Sequence, residues 1–120
     1  MFVHDQDATL NFYKKLGFVV HTDADFEGMR WLTLCFPAKR DFELVIMKAT
    51  TGIQKALVGK QTGDIPFMNL ESNDCKKDYE LFKAQGVEFV SVPETQPWGI
   101  SMAVRDNSGN KIYICQPALI

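Results

Sequence analysis

The chain has 120 residues, of which 46% are hydrophobic, 12% aromatic and 23% charged, enough for one ordinary globular domain. A net charge of −2, with no Lys/Arg run longer than two residues, excludes the electrostatic footprint of a nucleic-acid binder. No apolar stretch approaches the ~20 residues of a membrane-spanning helix, and "MFVHDQDATL" has neither the basic nor the apolar region of a signal peptide.

In chain order, "MFVH" (1–4) is a short strand. Asp5 or Asp7 then caps a helix whose first N–H groups need acceptors. Ala8, Phe12 and Leu16 recur at i, i+4 and i+8, an apolar stripe suited to lie on a sheet. Gly17 stops the helix where a left-handed backbone is wanted. The runs "FVVHTDADF", "RWLTLCF" and "FELVIMKA" follow as three strands separated by turn-forming residues. Residues 50–64 are a linker. "PFMNLES" (66–72) is a further strand, and a second acid-capped helix near 74–85 ends on Gly86. "VEFVSV", "WGISMAVR" and "NKIYICQ" complete the chain, the last two joined by the hairpin sequence "DNSG".

The two halves repeat. A shift of 69 residues carries Asp5 onto Asp74, Phe12 onto Leu81, Tyr13 onto Phe82, Gly17 onto Gly86 and Phe18 onto Val87. The chain therefore reads as an α+β protein of two βαβββ modules, module one at 1–49 and module two at 65–120, with the first strand cut short. Cys35, Cys75 and Cys115 are an odd number without C-x-x-C pairing. That usage suits reduced, buried thiols in a cytoplasmic protein.

The helix motif "DQDATLNFYKKLGF", the strand "FELVI" and the closing "PWGISMAVRDNSGNKIYICQ" resemble the vicinal oxygen chelate superfamily, which holds glyoxalase I, bleomycin-resistance proteins and extradiol dioxygenases. The likeness is greatest to the bleomycin-resistance-like branch. It implies a cupped mixed sheet with helices on the outer face, and in the superfamily's enzymes a divalent metal held by the first and last strands of each module. Activity must still be argued from the site. Of the four ligand positions, the first falls before Met1, the second on Glu43, the third on Pro66 or Phe67, and the fourth on Tyr113. Glu43 is the only match, so the resemblance implies no metal centre of the usual kind.

Strand alternation places Glu43, Val45 and Met47 on the inner face, with Phe42, Leu44 and Ile46 packed under the helices. It also sets His21 away from Glu43. Trp31, Thr33, Phe67, Met102, Tyr113 and Cys115 line the cup, with Trp98 at its rim. The expected ligand-binding set is thus Trp31, Glu43, Phe67, Trp98, Met102 and Tyr113. Glu43 is the best candidate for a catalytic group, because a carboxylate in an apolar strand must be paired or solvated. The resulting expectation is a protein that binds a small organic molecule in an aromatic cleft, without a cofactor. The alternative is a metal-dependent lyase, isomerase or dioxygenase of the glyoxalase I or extradiol type with an unusual ligand set. A homodimer is expected, with neither nucleic acid nor membrane as partner.

Overall fold

The computed structural model describes residues 1–118. The chain divides into two compact units, Met1–Gln61 and a second that starts at Thr62. The first comprises β1 (Phe2–Val3), α1 (Gln6–Lys15), β2 (Val19–Phe26), β3 (Met29–Phe36) and β4 (Lys39–Lys48), then α2 (Gly52–Leu57) within the expected linker. Its four strands lie in the order β1-β4-β3-β2. β1 runs parallel to β4, and the other neighbours are antiparallel.

β1 is only two residues long, as "MFVH" implied, yet its pairing is extended at both ends. Met47 N–H donates to the Met1 carbonyl and Ala49 N–H to that of Val3, each at 2.8 Å. On the far side of β1 the Gln61 side chain stands in for a strand. It accepts from Phe2 N–H at 2.9 Å and donates to the Phe2 carbonyl at 3.1 Å, so this edge is not left with bare backbone groups.

Asp5, not Asp7, caps α1, accepting from Ala8 N–H at 3.0 Å. Asp7 instead takes the Arg30 guanidinium at 2.8 Å, while Asp23 holds that guanidinium through two contacts of 2.9 Å. The Arg30 hydrogen bonds keep the Asp23 carboxyl below its ordinary range. Beside this clamp the buried Gln6 amide donates to the carbonyls of Arg30 (3.2 Å) and Ile46 (2.9 Å), pinning the first turn of α1 to the ends of β3 and β4. Phe12, Tyr13 and Leu16 are buried with Leu32, Leu34, Leu44 and Ile46 to form the core of this unit.

The second unit repeats the plan with β5 (Met68–Glu71), α3 (Cys75–Ala84), β6 (Glu88–Gln96), β7 (Gly99–Arg105) and β8 (Lys111–Pro117), in the order β5-β8-β7-β6. α1 and α3 have ten residues each and start 69 apart (75 − 6). Their ends match in detail. Gly17 and Gly86 adopt φ of +101° and +80°. The next residues, Phe18 and Val87, donate back to the carbonyls of Tyr13 and Phe82 at 3.1 Å. The likeness stops at burial, because Leu81 is 51% exposed where its counterpart Phe12 is buried. All three cysteines are free and buried, and desolvation, aided by Asp78, pushes the Cys75 thiol up.

The β7–β8 hairpin is built on Asp106. Its carboxylate accepts from the N–H groups of Ser108 (2.9 Å) and Asn110 (2.8 Å) and from the Asn110 side-chain amide (3.0 Å). At the opposite end of the same strand pair, Gly99 has φ +144°, and a Cβ there would run into the Gln116 carbonyl oxygen. We predict that Gly99→Ala lowers stability by roughly 1–3 kcal/mol from backbone strain alone. Urea unfolding should show this as a lower midpoint with an unchanged slope.

Candidate functional site

In the first unit the pairing of Thr33 with Val45 sets the two faces of the sheet. Trp31, Thr33 and Cys35 of β3 share one face with Glu43, Val45 and Met47 of β4, because paired residues point the same way and neighbours alternate. Leu32, Leu34, Leu44 and Ile46 fill the other face, under α1. Phe42 departs from the expectation that it packs under a helix, since it is 48% exposed. The core under α1 takes Leu44 and Ile46, and Phe42 lies one step further towards the start of the strand.

Glu43 is held by two neighbours. Thr33 Oγ1, itself fully buried, donates to Glu43 Oε1 at 2.8 Å. His21 Nδ1 lies 3.1 Å from the same oxygen. The expected separation of His21 from Glu43 is therefore overturned. A register shift between Val20 and Thr22 in the β2–β3 pairing marks a bulge, and the extra residue is His21. Counted from the Val19–Cys35 pair, His21 falls opposite Thr33 and so on the Glu43 face, and the bulge sets Thr22 opposite Thr33 as well. That pairing is not legible in "FVVHTDADF" alone.

The imidazole has two satisfied states. Its Nε2 lies 3.1 Å from the Arg40 carbonyl, against which it can only donate. Nδ1 lies 2.8 Å from Thr22 Oγ1 as well as 3.1 Å from Glu43. A doubly protonated ring donates to Arg40 and to the Glu43 carboxylate, forming an ion pair. A neutral ring keeps the Nε2 proton and accepts the Thr22 hydroxyl at Nδ1. Thr33 orients Glu43 in both states, the imidazole only when Nδ1 carries a proton, and the acid side chain keeps contact with water. Trp31, 38% exposed, lies on the same face.

The second unit contributes a separate aromatic pair. Trp98 is 56% exposed, and its indole N–H donates to Tyr113 Oη at 3.4 Å. Tyr113 is half-buried on β8 beside its partners Asn69 and Ala103. Phe67 continues the β5 ladder by donating its N–H to the Lys111 carbonyl at 2.7 Å, and alternation puts it on the Tyr113 face. Met102 does not belong there. It pairs with Ile114, is fully buried, and shares the opposite face with Val104 and Ile112. Counting alternation from Tyr113 through the hairpin pairing would have placed it correctly.

The donors do not make a metal centre of the kind the resemblance suggests. In the first unit His21 and Glu43 supply two ligating groups, and these already bond to each other and to Thr33. Phe67 has no donor atom, and the Tyr113 phenol is engaged with Trp98. Among the described residues no group of three or more His, Cys, Asp or Glu is placed to hold an ion, whereas an open catalytic zinc site uses three protein ligands.

Comparison with known proteins places this geometry. The model of the Glyoxalase/Bleomycin resistance protein/Dioxygenase superfamily matches residues 1–114. The protein YurT of Bacillus subtilis (strain 168) is 32% identical over 123 residues, covering 97% of this chain and 94% of its own. The crystal structure of UcmS2 superposes with a TM-score of 0.84 at 31% identity, over 96% of this chain and 92% of that one. TnmS3, described as an antibiotic binding protein from Streptomyces sp. CB03234, gives 0.77 at 25% identity, over 98% and 93%.

The donor set leads to a direct expectation. After dialysis, elemental analysis should find no stoichiometric zinc, nickel or iron, and calorimetric titration should find no tight site for these ions. One ion per chain, lost in Glu43→Ala, would contradict it.

Proposed function

As a member of the glyoxalase/bleomycin resistance/dioxygenase superfamily, this chain is one that, we propose, binds a small organic molecule on the face of the first-unit sheet bearing Trp31, Thr33 and Glu43. The observation that carries the reading is the Glu43 carboxylate, with Thr33 and His21 at 2.8 and 3.1 Å, on a sheet face that also bears the partly exposed Trp31. An apolar wall with one fixed, charged acceptor suits an aromatic compound that carries a cation, since the ring stacks on tryptophan while the acid sets its orientation. The description of TnmS3 as an antibiotic binding protein supports a small organic ligand. The exposed Trp98–Tyr113 pair is a further aromatic surface for the same purpose. Binding of this kind asks for no cofactor and no chemical step.

We also propose that the protein is a cytoplasmic homodimer. Three free, buried cysteines suit a reducing compartment. Phe26 and Phe42 are large apolar side chains left exposed in the first unit, which self-association would cover.

Two measurements test these proposals. Planar aromatic cations should quench tryptophan fluorescence saturably, and Glu43→Gln should weaken them by about 1–3 kcal/mol while sparing their neutral analogues. Equal affinity for the variant would remove Glu43 from the site. Sedimentation velocity at tens of micromolar should give a dimer, and a monomer there would refute the assembly.

A further inference from the structure

A second recess in the first unit lies apart from the Glu43 cluster, at the end of the sheet where α1 begins and β4 runs on towards α2. It is a cleft of about 470 Å³. A smaller neighbour of about 300 Å³ shares Gln6, Arg30 and Lys48 with it. Phe2, Met29 and Met47 give the larger cleft an apolar wall. Arg30 adds little free charge, because Asp7 and Asp23 already hold its guanidinium.

The polarity of the recess is set by two glutamines whose orientation the main chain dictates. Gln6 is 9% exposed, and both of its amide hydrogens go to backbone carbonyls, those of Arg30 and Ile46. That end must be the nitrogen, since carbonyls only accept. Its Oε1 is consequently an acceptor with no protein donor, and it is not sealed from solvent. Gln54 is the reverse. Its Oε1 takes the N–H groups of Thr50 (2.9 Å) and Thr51 (3.4 Å) and the Thr50 hydroxyl (3.1 Å), which leaves its amide hydrogens without a protein acceptor. One amide therefore offers an acceptor to the cleft and the other a donor. The charged groups follow the same division, with the Asp25 carboxylate and the Lys48 ammonium both lining the cleft and neither in an ion pair among the described residues.

We infer that this cleft is a binding site for a small apolar zwitterion, a compound with an ammonium, a carboxylate and a hydrophobic body, of which an apolar α-amino acid is the simplest example. The ammonium donates to Gln6 Oε1 and Asp25. The carboxylate accepts from Gln54 Nε2 and Lys48. The body lies on Phe2 and the two thioethers, which are soft and adapt to an aromatic ring. A molecule with one of these charges satisfies half of the site and leaves the other half hydrated. None of the four polar groups is bonded to His21, Thr33 or Glu43, so this site stands or falls independently of the function proposed above.

The test uses the whole chain, isotope-labelled, with amide NMR as readout and three probes of nearly equal size: L-phenylalanine, phenethylamine and hydrocinnamate. L-Phenylalanine should shift the side-chain amide signals of Gln6 and Gln54 saturably, with a dissociation constant of about 1 mM or tighter. Each single-charge analogue should bind at least about fivefold more weakly, a difference typical of one lost charged hydrogen bond. Lys48→Gln should bring the amino acid down to the affinity of phenethylamine, and Asp25→Asn to that of hydrocinnamate. Both positions are exposed, so unfolding curves of the variants should match the parent. Absence of shifts at Gln6 and Gln54, equal affinity for the three probes, or variants that bind like the parent would each overturn the inference.

Discussion

The left-handed turn that ends each long helix is the constraint on which the rest of the structure depends. A helix that stops on a residue with φ near +90° reverses the chain within two residues and starts a strand at once. Gly17 and Gly86 take that conformation without the steric penalty any other L-residue would carry. Because Phe18 and Val87 then bond back to Tyr13 and Phe82, the offset between helix and strand is set in both units alike. Every later register is counted from that point. Glu43 reaches Thr33 only because β2, β3 and β4 pair as they do.

The site is made where β2, β3 and β4 meet. The Val19–Cys35 pairing puts His21 on the Glu43 face, and the bulge beside it adds Thr22, whose hydroxyl lies 2.8 Å from the imidazole. The result is an acid anchored by the Thr33 hydroxyl and, when the imidazole is doubly protonated, by Nδ1 as well. A carboxylate in such a position costs less than a buried one, since it keeps a donor and water. That is why an otherwise apolar strand tolerates it.

The two units show how one plan supports different surfaces. Their backbones share strand order, helix length and helix ends, yet the first carries Trp31, His21 and Glu43 where the second carries Trp98 and Tyr113. Membership in the superfamily accounts for the shared backbone. The side chains on the faces are free to differ, because the core that holds each sheet to its helix lies on the opposite side. The Asp106 hairpin makes the same point on a smaller scale. Its carboxylate organises the turn and leaves the strands on either side to set what their faces present.

Local chemistry, which acts over a few residues, was legible in the sequence: the acid caps, the glycine stops and the turn at "DNSG" all follow from contacts within one or two turns of chain, and the 69-residue repeat follows from their recurrence. So was the placement of Glu43 beside Val45 on one face, since alternation is a property of a single strand. What the sequence left open lies in the pairing between strands and in where the core beneath each helix ends. His21 meets Glu43 only through the pairing of β2 with β3 and of β3 with β4. Met102 belongs to the core because β7 pairs with β8 in one register and not its neighbour, and a slip of one residue exchanges the faces. Phe42 is bare because the core under α1 ends at Leu44. Likewise, the unused acceptor of Gln6 and the unused donor of Gln54 come from carbonyls and amides brought to them by the fold. The sequence by itself determined the elements and their order; only the tertiary structure decided which side chains meet, because that depends on register and on where each helix ends above its sheet.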